Sequence, residues 1–445
     1  MASEESPPLA TRDDLTPETF YHRFRPGEKR WIVLVVSLAG VLPMFVQATF
    51  LPSIPQMAKD LNSTHAVVSL GVSMSIFATA VGALIWAAYS SFYGCRLMYL
   101  WGMPILCMGS CGVAMSTSLR CLLFWRFVQT FGCSGGMSLG AGVISDIYKL
   151  EERGTSMGIF YGATLLGFAI APFLGGAAAQ YWSWCGLHYS LGVWSLLEML
   201  LISLSLPETS HPGAMGIEKV TQERRFHIAW VNPLSSLWLL RSPNLLATVI
   251  LLVPIAYTIG VRYGITNEAV IGACFLPTGL GNIIGAPVSG RLSDIVVRKL
   301  RARRKGVWYP EDRLRATWIG GLFMVPLSIV TSGLVTTYIG GLIGLSLNLL
   351  CLFINGMGVL CVISPIGSYN VDVAHSRSAE ITAAHAATRS VIVSAATALV
   401  IPSIKRIGVA WTDIIAAVLA LVGQGLIFLT IRYGDRMRAG VDVGF

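Results

Sequence analysis

The stretch LFWRFVQTFGCSGGMSLGAGVISDIY, residues 123–148, decides how this chain must fold. It is long and apolar enough to cross a bilayer, yet it carries Arg126 and Gln129 on neighbouring turns of one helix. Because a charge in the hydrocarbon core is costly, an arginine in a span almost always faces protein or a water-filled path. Five glycines between positions 132 and 142 give the same helix a side for close packing. The stretch therefore predicts a bundle of spans around an aqueous path. The alternative is that Arg126, near the start of the span, extends to the cytosolic membrane surface.

The composition of the whole chain is that of a membrane protein. Of its 445 residues, 54% are hydrophobic and 12% are charged, whereas soluble domains carry about 25% charged residues. Apolar runs long enough to span recur along nearly the whole sequence, which leaves no room for a separate soluble domain. The net charge of +9 comes from basic residues in short segments between the spans. This placement fits cytosolic loops and a lipid bilayer as partner, and it argues against nucleic-acid binding.

The apolar runs predict twelve spans in two groups of six. The first group covers 31–51, 66–89, 98–118, 123–148, 155–179 and 184–206, and the second covers 244–262, 269–292, 314–337, 339–363, 379–401 and 409–431. We predict a disordered cytosolic tail at 1–30, bundles at 31–206 and 242–432, a cytosolic linker at 207–241 and a cytosolic tail at 433–445. The basic loop VVRKLRARRKGVWYPEDRLR at 296–315 agrees with this orientation, whereas Lys405 and Arg406 fall on the outer side.

The two groups of spans can be superposed without a gap at an offset of 203 residues. Matched positions are Ala66-Val67 with Ala269-Val270, Gly82-Ala83 with Gly285-Ala286, and Ser91 with Asp294. A duplication of six spans accounts for these matches, and duplicated halves around a site at the membrane midplane are typical of alternating-access carriers.

The chain resembles a fungal major facilitator superfamily transporter of the twelve-span drug:proton antiporter type. RFVQTFGCSGG at 126–136 is similar to the family's motif in span 4. The stretch at 152–176 resembles the motif in span 5, which the family uses near the outer gate, through Gly167, Pro172, Gly175 and Gly176. LPET at 206–209, GLGNIIGAPVSGRLSD at 279–294 and GVWYPEDRLRA at 306–316 are similar to a branch that contains multidrug and organic-acid exporters, such as those of itaconate and citrate. The resemblance implies an all-α membrane protein with the major facilitator fold.

One motif departs from the family. Between spans 2 and 3 the family has roughly G-x-L-S-D-R-x-G-R-R, but this chain has AAYSSFYGCR, with Ser91 where the acid is expected and only Gly94 and Arg96 retained. The second half keeps GRLSD at 290–294, with Gly290, Arg291 and Asp294, and Asp146 marks the turn after span 4. A serine can cap a helix but brings no charge. We therefore expect either that the inner gate depends on the second half or that the resting state is inward-open.

Ionisable residues deep in the spans are few, and they suggest what is carried. They are Arg126, Glu198, His385 and Arg389, and the last two share a helix face. Arginine suits carboxylates and histidine titrates near neutral pH, so we predict export of a small organic anion, a di- or tricarboxylate or an acidic secondary metabolite. Glu198 and His385 are candidates for proton coupling. Neutral candidates for substrate contact are Gln129, Gln47, Asn348 and Asn355, for which interhelical hydrogen bonding is an equal alternative.

The remaining signals narrow the function class. The nine cysteines have no metal-ligand spacing. The sequence shows no catalytic constellation and no phosphate-binding glycine loop, so an enzyme or an ATP-driven pump is disfavoured. We expect no cofactor. The alternatives are a multidrug:proton antiporter and, less favoured, a transporter-like sensor. We expect a monomer in the plasma membrane, or else in a vacuolar or other internal membrane. Asn62 begins a glycosylation sequon in the first outer loop.

The predicted topology can be tested with a tag. An epitope inserted at residue 220, in the predicted linker, should be inaccessible to antibody and protease in sealed cells and accessible after permeabilisation, because basic loops remain in the cytosol. A tag at 220 that is read from outside intact cells would contradict the twelve-span scheme.

Overall fold

The computed structural model describes residues 21, 23–68, 70–210, 217, 263, 265, 267–373 and 378–439. Within them the chain is helical and contains no strand. The α-helices are α1 (Pro26–Asp60), α2 (His65–Val68), α3 (Leu70–Tyr93), α4 (Cys95–Ala114), α5 (Leu119–Cys133), α6 (Gly136–Ile147), α7 (Leu150–Tyr181), α8 (Trp184–Ser205), α9 (Glu268–Ala273), α10 (Leu276–Arg303), α11 (Val325–Tyr338), α12 (Gly341–Val373), α13 (Ser378–Ile407) and α14 (Val409–Ala439). A 3-10 helix (Pro310–Thr317) and a π-helical segment (Ile319–Met324) lead into α11.

The helices agree with the predicted spans where the structure describes them. Eight helical segments in this part of the chain are long and apolar enough to cross a membrane, and they match predicted spans 1, 2, 3, 5, 6, 9, 10 and 12. Predicted span 4 corresponds to α5 and α6, span 8 to α9 and α10, and span 11 to α13. Glycine, serine, threonine and charged residues lower the apolarity of α10 and α13. Predicted span 7, at 244–262, lies outside the described residues.

The helix limits differ from the predicted ones at both ends of the chain. α1 begins at Pro26, inside the predicted tail, where the Glu28 carboxylate accepts the backbone N–H of Arg25 at 2.8 Å and so caps the first turn. α14 continues to Ala439, beyond the predicted limit at 432. Most of the predicted linker at 207–241 lies outside the described residues, so the division into two bundles remains a prediction.

The stretch at 123–148 is two helices rather than one. The Phe131 carbonyl accepts the Trp86 indole N–H at 2.8 Å and the Ser134 hydroxyl at 2.8 Å. These side-chain donors compete with the backbone bond that would continue the helix, and Gly135 and Gly136 follow directly. The break turns the second part of span 4 toward α13 of the other half, against which α6 packs.

Packing joins the helices into one core. α1 packs along α7, α4 lies between α5 and α8, α10 packs on α12, and α11 packs on α14. The halves meet along two seams, α7 with α10 and α3 with α13. The largest apolar cluster of the first half also contains Ala286, Leu360 and Val371 from the second half. The hydrophobic core therefore continues across the seam.

Close helix contact at Gly175 gives a packing test. A methyl group added there would lie 2.6 Å from the Thr49 carbonyl oxygen, so Gly175→Ala must push α7 away from α1. Overpacking of this kind costs about 1–3 kcal/mol, and we expect a lower melting temperature in detergent. Gly425→Ala in α14 is the control, because nothing lies within 4 Å of its added methyl. Equal melting temperatures for the two variants would contradict the close α1–α7 contact.

Candidate functional site

Asp294 ties the two halves together at one end of the bundle. Its carboxylate, on α10, accepts the backbone N–H groups of Gly154 and Thr155 at 3.1 and 2.9 Å and the Thr155 hydroxyl at 2.6 Å. These donors lie near the N-terminus of α7, where the helix dipole favours a negative charge. A methyl on Gly290, one turn earlier on α10, would lie 2.7 Å from the Thr155 Cα. Only glycine therefore allows this approach of the two helices.

Three further buried charged residues are connected to Asp294 by ion pairs. We call the four residues Arg153, Asp294, Arg313 and Asp372 the gate cluster. Arg313 Nη1 donates to Asp294 at 3.1 Å, and its Nε contacts Asp372. Asp372 accepts Arg153 Nη1 at 2.7 Å, and Arg313 also donates to the Leu150 carbonyl. Acid and base alternate, and none of the four is more than 7% exposed. Removing one member of a buried ion pair costs about 3–5 kcal/mol, so this end of the bundle is firmly closed in this structure.

The repeat-equivalent position in the first half makes no such connection. Among the described residues, the partner of the Ser91 hydroxyl lies in its own helix, the Ala87 carbonyl at 3.5 Å. The halves meet there through a neutral bond, Ser145 Oγ to Ser378 Oγ at 2.7 Å. The closure is therefore asymmetric, with charge on the Asp294 side and small hydroxyls on the Ser91 side.

The other predicted gating residues of the first half bind within that half. Gly94 adopts a positive φ of 90° at the start of α4, and a side chain there would overlap Glu208. Glu208 accepts the Arg96 backbone N–H at 3.2 Å, and Arg96 Nη2 donates to the Ser203 carbonyl at 2.8 Å. The LPET segment is thereby fixed to the start of α4. Asp146 accepts the hydroxyl of Thr209, also in LPET, at 3.3 Å. Arg291 of the second half is exposed.

The predicted packing motif of span 5 lies along α7. Pro172 is inside the helix, and Gly167 faces Val41 of α1. Gly272 of α9 meets the Pro172 carbonyl so closely that a methyl group there would overlap it. Gly176 is buried beside Gly175 in the same helix. The motif therefore packs α7 against α1 through Gly167 and Gly175, and it meets the second half at Pro172.

Arg126 and Gln129 form a buried network toward the end of the bundle that lies opposite the gate cluster. Arg126 Nη1 donates to Gln129 Oε1 at 2.7 Å and Nη2 donates to the Val46 carbonyl at 2.8 Å. The guanidinium also lies 4.4 Å from the ring centre of Phe50. Arg126 thus holds α5 against α1. It does not extend to the membrane surface, because it is only 1% exposed, and the surface nearest to it is the one predicted to face outward.

Sequence reasoning missed His188 as a member of this network. Its imidazole is fully buried on α8, with Nδ1 3.1 Å from Gln129 Nε2. Gln129 Nε2 also donates to Ser110 Oγ at 2.9 Å. The available signal was a histidine only four residues into span 6. Arg153, Arg313 and Asp372 were missed as well, because their pairing depends on contacts between distant helices.

Arg389 lies at the seam between the halves, well away from Arg126. It is half-buried on α13, and its Nη2 is 4.0 Å from Met137 Sδ of α6. Tyr161 of α7 is near enough to interact with it electrostatically. Met137 lies on α6, beyond the break at Ser134, whereas Arg126 lies on α5. Among the contacts of the described residues, the two arginines share no partner. His385 is one turn before Arg389 on the same face.

The neutral candidates make interhelical hydrogen bonds. Gln47 donates to Thr79 Oγ1 at 3.0 Å, and Asn355 donates to Ser328 Oγ at 3.1 Å. Asn348 is completely buried and fully engaged, as its partners are Ser332 at 2.7 Å, Thr336 at 3.0 Å and Tyr263 at 2.7 Å.

Two further predicted residues differ in their exposure. Glu198 is only 3% exposed on α8, and its Oε1 has no hydrogen-bond partner among the described residues. Asn62 is exposed in the turn after α1, at a positive φ of 48°.

Comparison with known proteins identifies the family. Residues 36–398 match the model of the Major Facilitator Superfamily. The efflux pump radE of Floropilus chiversii is 25% identical over 93% of this chain and 82% of its own length. Citrate exporter 1 of Aspergillus niger is 29% identical over 44% of this chain and 37% of its own length. Among solved structures, the proton:xylose symporter XylE superposes with a TM-score of 0.67 at 12% identity, covering 92% of this chain and 97% of that one.

The gate cluster can be tested through a native thiol. Cys95 is 5% exposed near this end and lies beside Gly142 and Ala379. Asp294→Asn weakens the hold on α7, and the loss of a charged hydrogen bond of about 1.5–3 kcal/mol should raise the rate of Cys95 alkylation at least about tenfold. The control is Ser91→Ala at the equivalent position, which should leave the rate unchanged. A Cys95→Ser variant shows which part of the alkylation comes from Cys95. If both variants react alike, Asp294 does not hold this end closed.

Proposed function

We propose that this chain, which belongs to the Major Facilitator Superfamily, exports a small organic anion of the di- or tricarboxylate class by alternating access, coupled to protons. Family and fold make it a multi-pass membrane transporter rather than an enzyme. The observation that carries the proposal is Arg389, a cation at the seam for which the described residues provide no carboxylate partner. An anion at this position would be its natural counter-ion.

The depth of Arg389 supports a central site. It is the twelfth residue of α13, and Tyr161 is the twelfth residue of α7, so both lie about 16 Å along their helices from the end that carries the gate cluster. That distance is close to half of the roughly 30 Å hydrocarbon core. Carriers built from two repeats place their site at this level, between the halves.

The chemistry of the site favours a carboxylate. The planar guanidinium of Arg389 can bind both carboxylate oxygens at once, which lysine cannot do. Each charge-assisted hydrogen bond contributes about 1.5–3 kcal/mol. Tyr161 is buried at the same depth, beside Gly367 of α12. His385, one turn nearer to the gate cluster, would add a second contact. A substrate with two or three carboxylates would use both positions. We retain Gln47 as a candidate for substrate contact, and we assign Arg126, Gln129, Asn348 and Asn355 to the support of the helices.

The two ends of the bundle supply the gates. In this structure the Asp294 end is closed, so a substrate would leave through the other end after α7 and α9 part near Pro172 and Gly272. Opening toward the predicted cytosolic side requires the Arg153–Asp372 pair and the Asp294 contacts to α7 to separate. Names of relatives support the direction and the substrate class, since radE is called an efflux pump and another relative a citrate exporter. We propose the plasma membrane as the site of export.

A second candidate, a multidrug:proton antiporter, is favoured by one apolar cavity. About 760 Å³ in volume, it lies between α1, α7 and α8 and is lined by Phe45, Leu166, Trp182 and Trp194, among others. Such a lining would suit an amphiphile rather than a carboxylate.

The test is a set of Arg389 variants. Arg389→Ala should nearly abolish export of labelled citrate, because the anion loses its counter-ion. Arg389→Lys should also weaken export, by at least about tenfold, since it keeps the charge but loses the bidentate fork. Arg120→Ala, an exposed arginine of α5, removes the same charge elsewhere and should export normally. All variants are compared at equal surface expression. Normal citrate export by Arg389→Ala, or wild-type efflux of cationic dyes, would overturn the anion proposal.

A further inference from the structure

The orientation of the Gln129 amide is fixed by its neighbours. Arginine has only donors, so the atom that faces Arg126 Nη1 at 2.7 Å must be the amide oxygen. The amide nitrogen then points the other way, toward Ser110 Oγ at 2.9 Å and His188 Nδ1 at 3.1 Å. Because this nitrogen only donates, His188 Nδ1 must accept. His188 is therefore neutral in this structure, with its proton on Nε2.

Among the described residues, no carboxylate contacts the His188 imidazole in this state. The charged group of the network on α5 is Arg126, which repels an imidazolium. Trp184 lies one turn before His188 on α8, and its indole N–H donates to the Asp60 carboxylate of α1 at 2.8 Å. The neighbouring α4 brings the thiol of Cys111 beside Gly192, one turn after His188. The helix α8 itself carries Cys185 and, further along, Glu198. His188 Nε2 has no acceptor among the described residues.

We propose that His188 is a proton-operated positioning residue that controls Arg126 through Gln129. When Nδ1 binds a proton, its N–H faces the amide N–H of Gln129, and two donors cannot bond. The amide must turn its oxygen to His188, so Arg126 Nη1 loses its acceptor while a second cation appears nearby. Arg126 then loosens its hold on the Val46 carbonyl and the Phe50 ring of α1.

The sequence of events follows from linkage. In the structure, whose Asp294 end is closed, His188 is neutral. We therefore infer that the imidazole binds its proton in another conformation, in which α1 and α5 have separated and water reaches the ring. Because one proton binds Nδ1 and the same proton leaves it, the cycle balances without another reactant. A state that binds the proton more tightly is favoured as pH falls. His188 thus provides a physical connection between proton binding and the movement of α1.

Among the described residues, the second half has polar residues at the matching helix positions but no arginine, glutamine and histidine network. Arg126 is the eighth residue of α5 and Asn348 the eighth of α12, and His188 is the fifth of α8 and Asp413 the fifth of α14. Asn348 makes only neutral hydrogen bonds, to Ser332, Thr336 and Tyr263. Asp413 faces Gly333 of α11. Asp413→Asn is therefore a matched control, since it removes a titratable group from the equivalent place in the other half.

This inference deepens the proposed function, and its first test needs no substrate. The purified full chain, labelled with 15N-histidine and reconstituted in lipid nanodiscs, shows its seven histidines by NMR. His188→Asn identifies the signal of His188 and keeps an acceptor for Gln129 in its side-chain oxygen. At neutral pH we expect Nδ1 of His188 to be unprotonated and Nε2 to be protonated. A proton on Nδ1 at neutral pH would overturn the proposal, whatever the protein carries.

The second test is a pH profile of labelled citrate exchange in proteoliposomes. For the wild type, a single controlling proton allows the rate to change by up to about tenfold per pH unit. His188→Asn should still exchange citrate, but its rate over roughly pH 5–8 should vary less than about half as much as that of the wild type, the remainder coming from the ionisation of citrate and of His385. Asp413→Asn should keep the wild-type profile. A wild-type profile in His188→Asn, or an equal loss of pH dependence in both variants, would overturn the inference. Absence of exchange in the wild type would count against the proposed function, and the NMR result would then decide the role of His188.

Discussion

The contact between Asp294 and the start of α7 is the constraint on which the rest of this structure depends. One carboxylate from the second half accepts two backbone N–H groups and a hydroxyl from the first half. The same carboxylate binds Arg313, which leads through Asp372 to Arg153. A buried carboxylate with this many donors is stable only while the halves touch, because separation leaves each charge to be solvated anew. The contact therefore behaves as a two-state element, as alternating access requires.

The asymmetry of the closure follows from one substitution in the repeat. Ser91 takes the place of the acid that its counterpart, Asp294, provides, so the charged connection that Asp294 makes has no counterpart at Ser91 among the described contacts. On that side the halves are joined by the hydroxyl contact between Ser145 and Ser378. We expect the Ser91 side to separate at lower cost, since a neutral hydrogen bond contributes about half as much as a charged one. That the inner gate depends on the second half stays a prediction, which the buried contacts of Asp294, Arg313 and Asp372 support.

Much of the fold could be predicted from the sequence, because span length and apolarity are local properties. The spans, the repeat and the family all follow from residues read in order. The break at Ser134 could not be predicted, because it depends on the Trp86 indole from another helix. His188 and Asp372 were missed for the same reason, as their roles come from partners far away in sequence. The placement of Arg389 at mid-depth could be expected from its position in predicted span 11. That it contacts Met137 of α6, and not the partners of Arg126, depends on packing between distant helices.

Wild-type solute exchange tests the central claim most directly. Purified protein would be reconstituted in proteoliposomes that are preloaded with unlabelled citrate, and labelled citrate would be added outside. Parallel vesicles would be preloaded with an unlabelled cationic dye, and the labelled dye would be added outside. We predict that labelled citrate accumulates transiently by exchange, that a proton gradient drives its net movement, and that the dye does not accumulate. Accumulation of the dye without any exchange of citrate would contradict the account and would assign the seam at Arg389 to a different class of substrate.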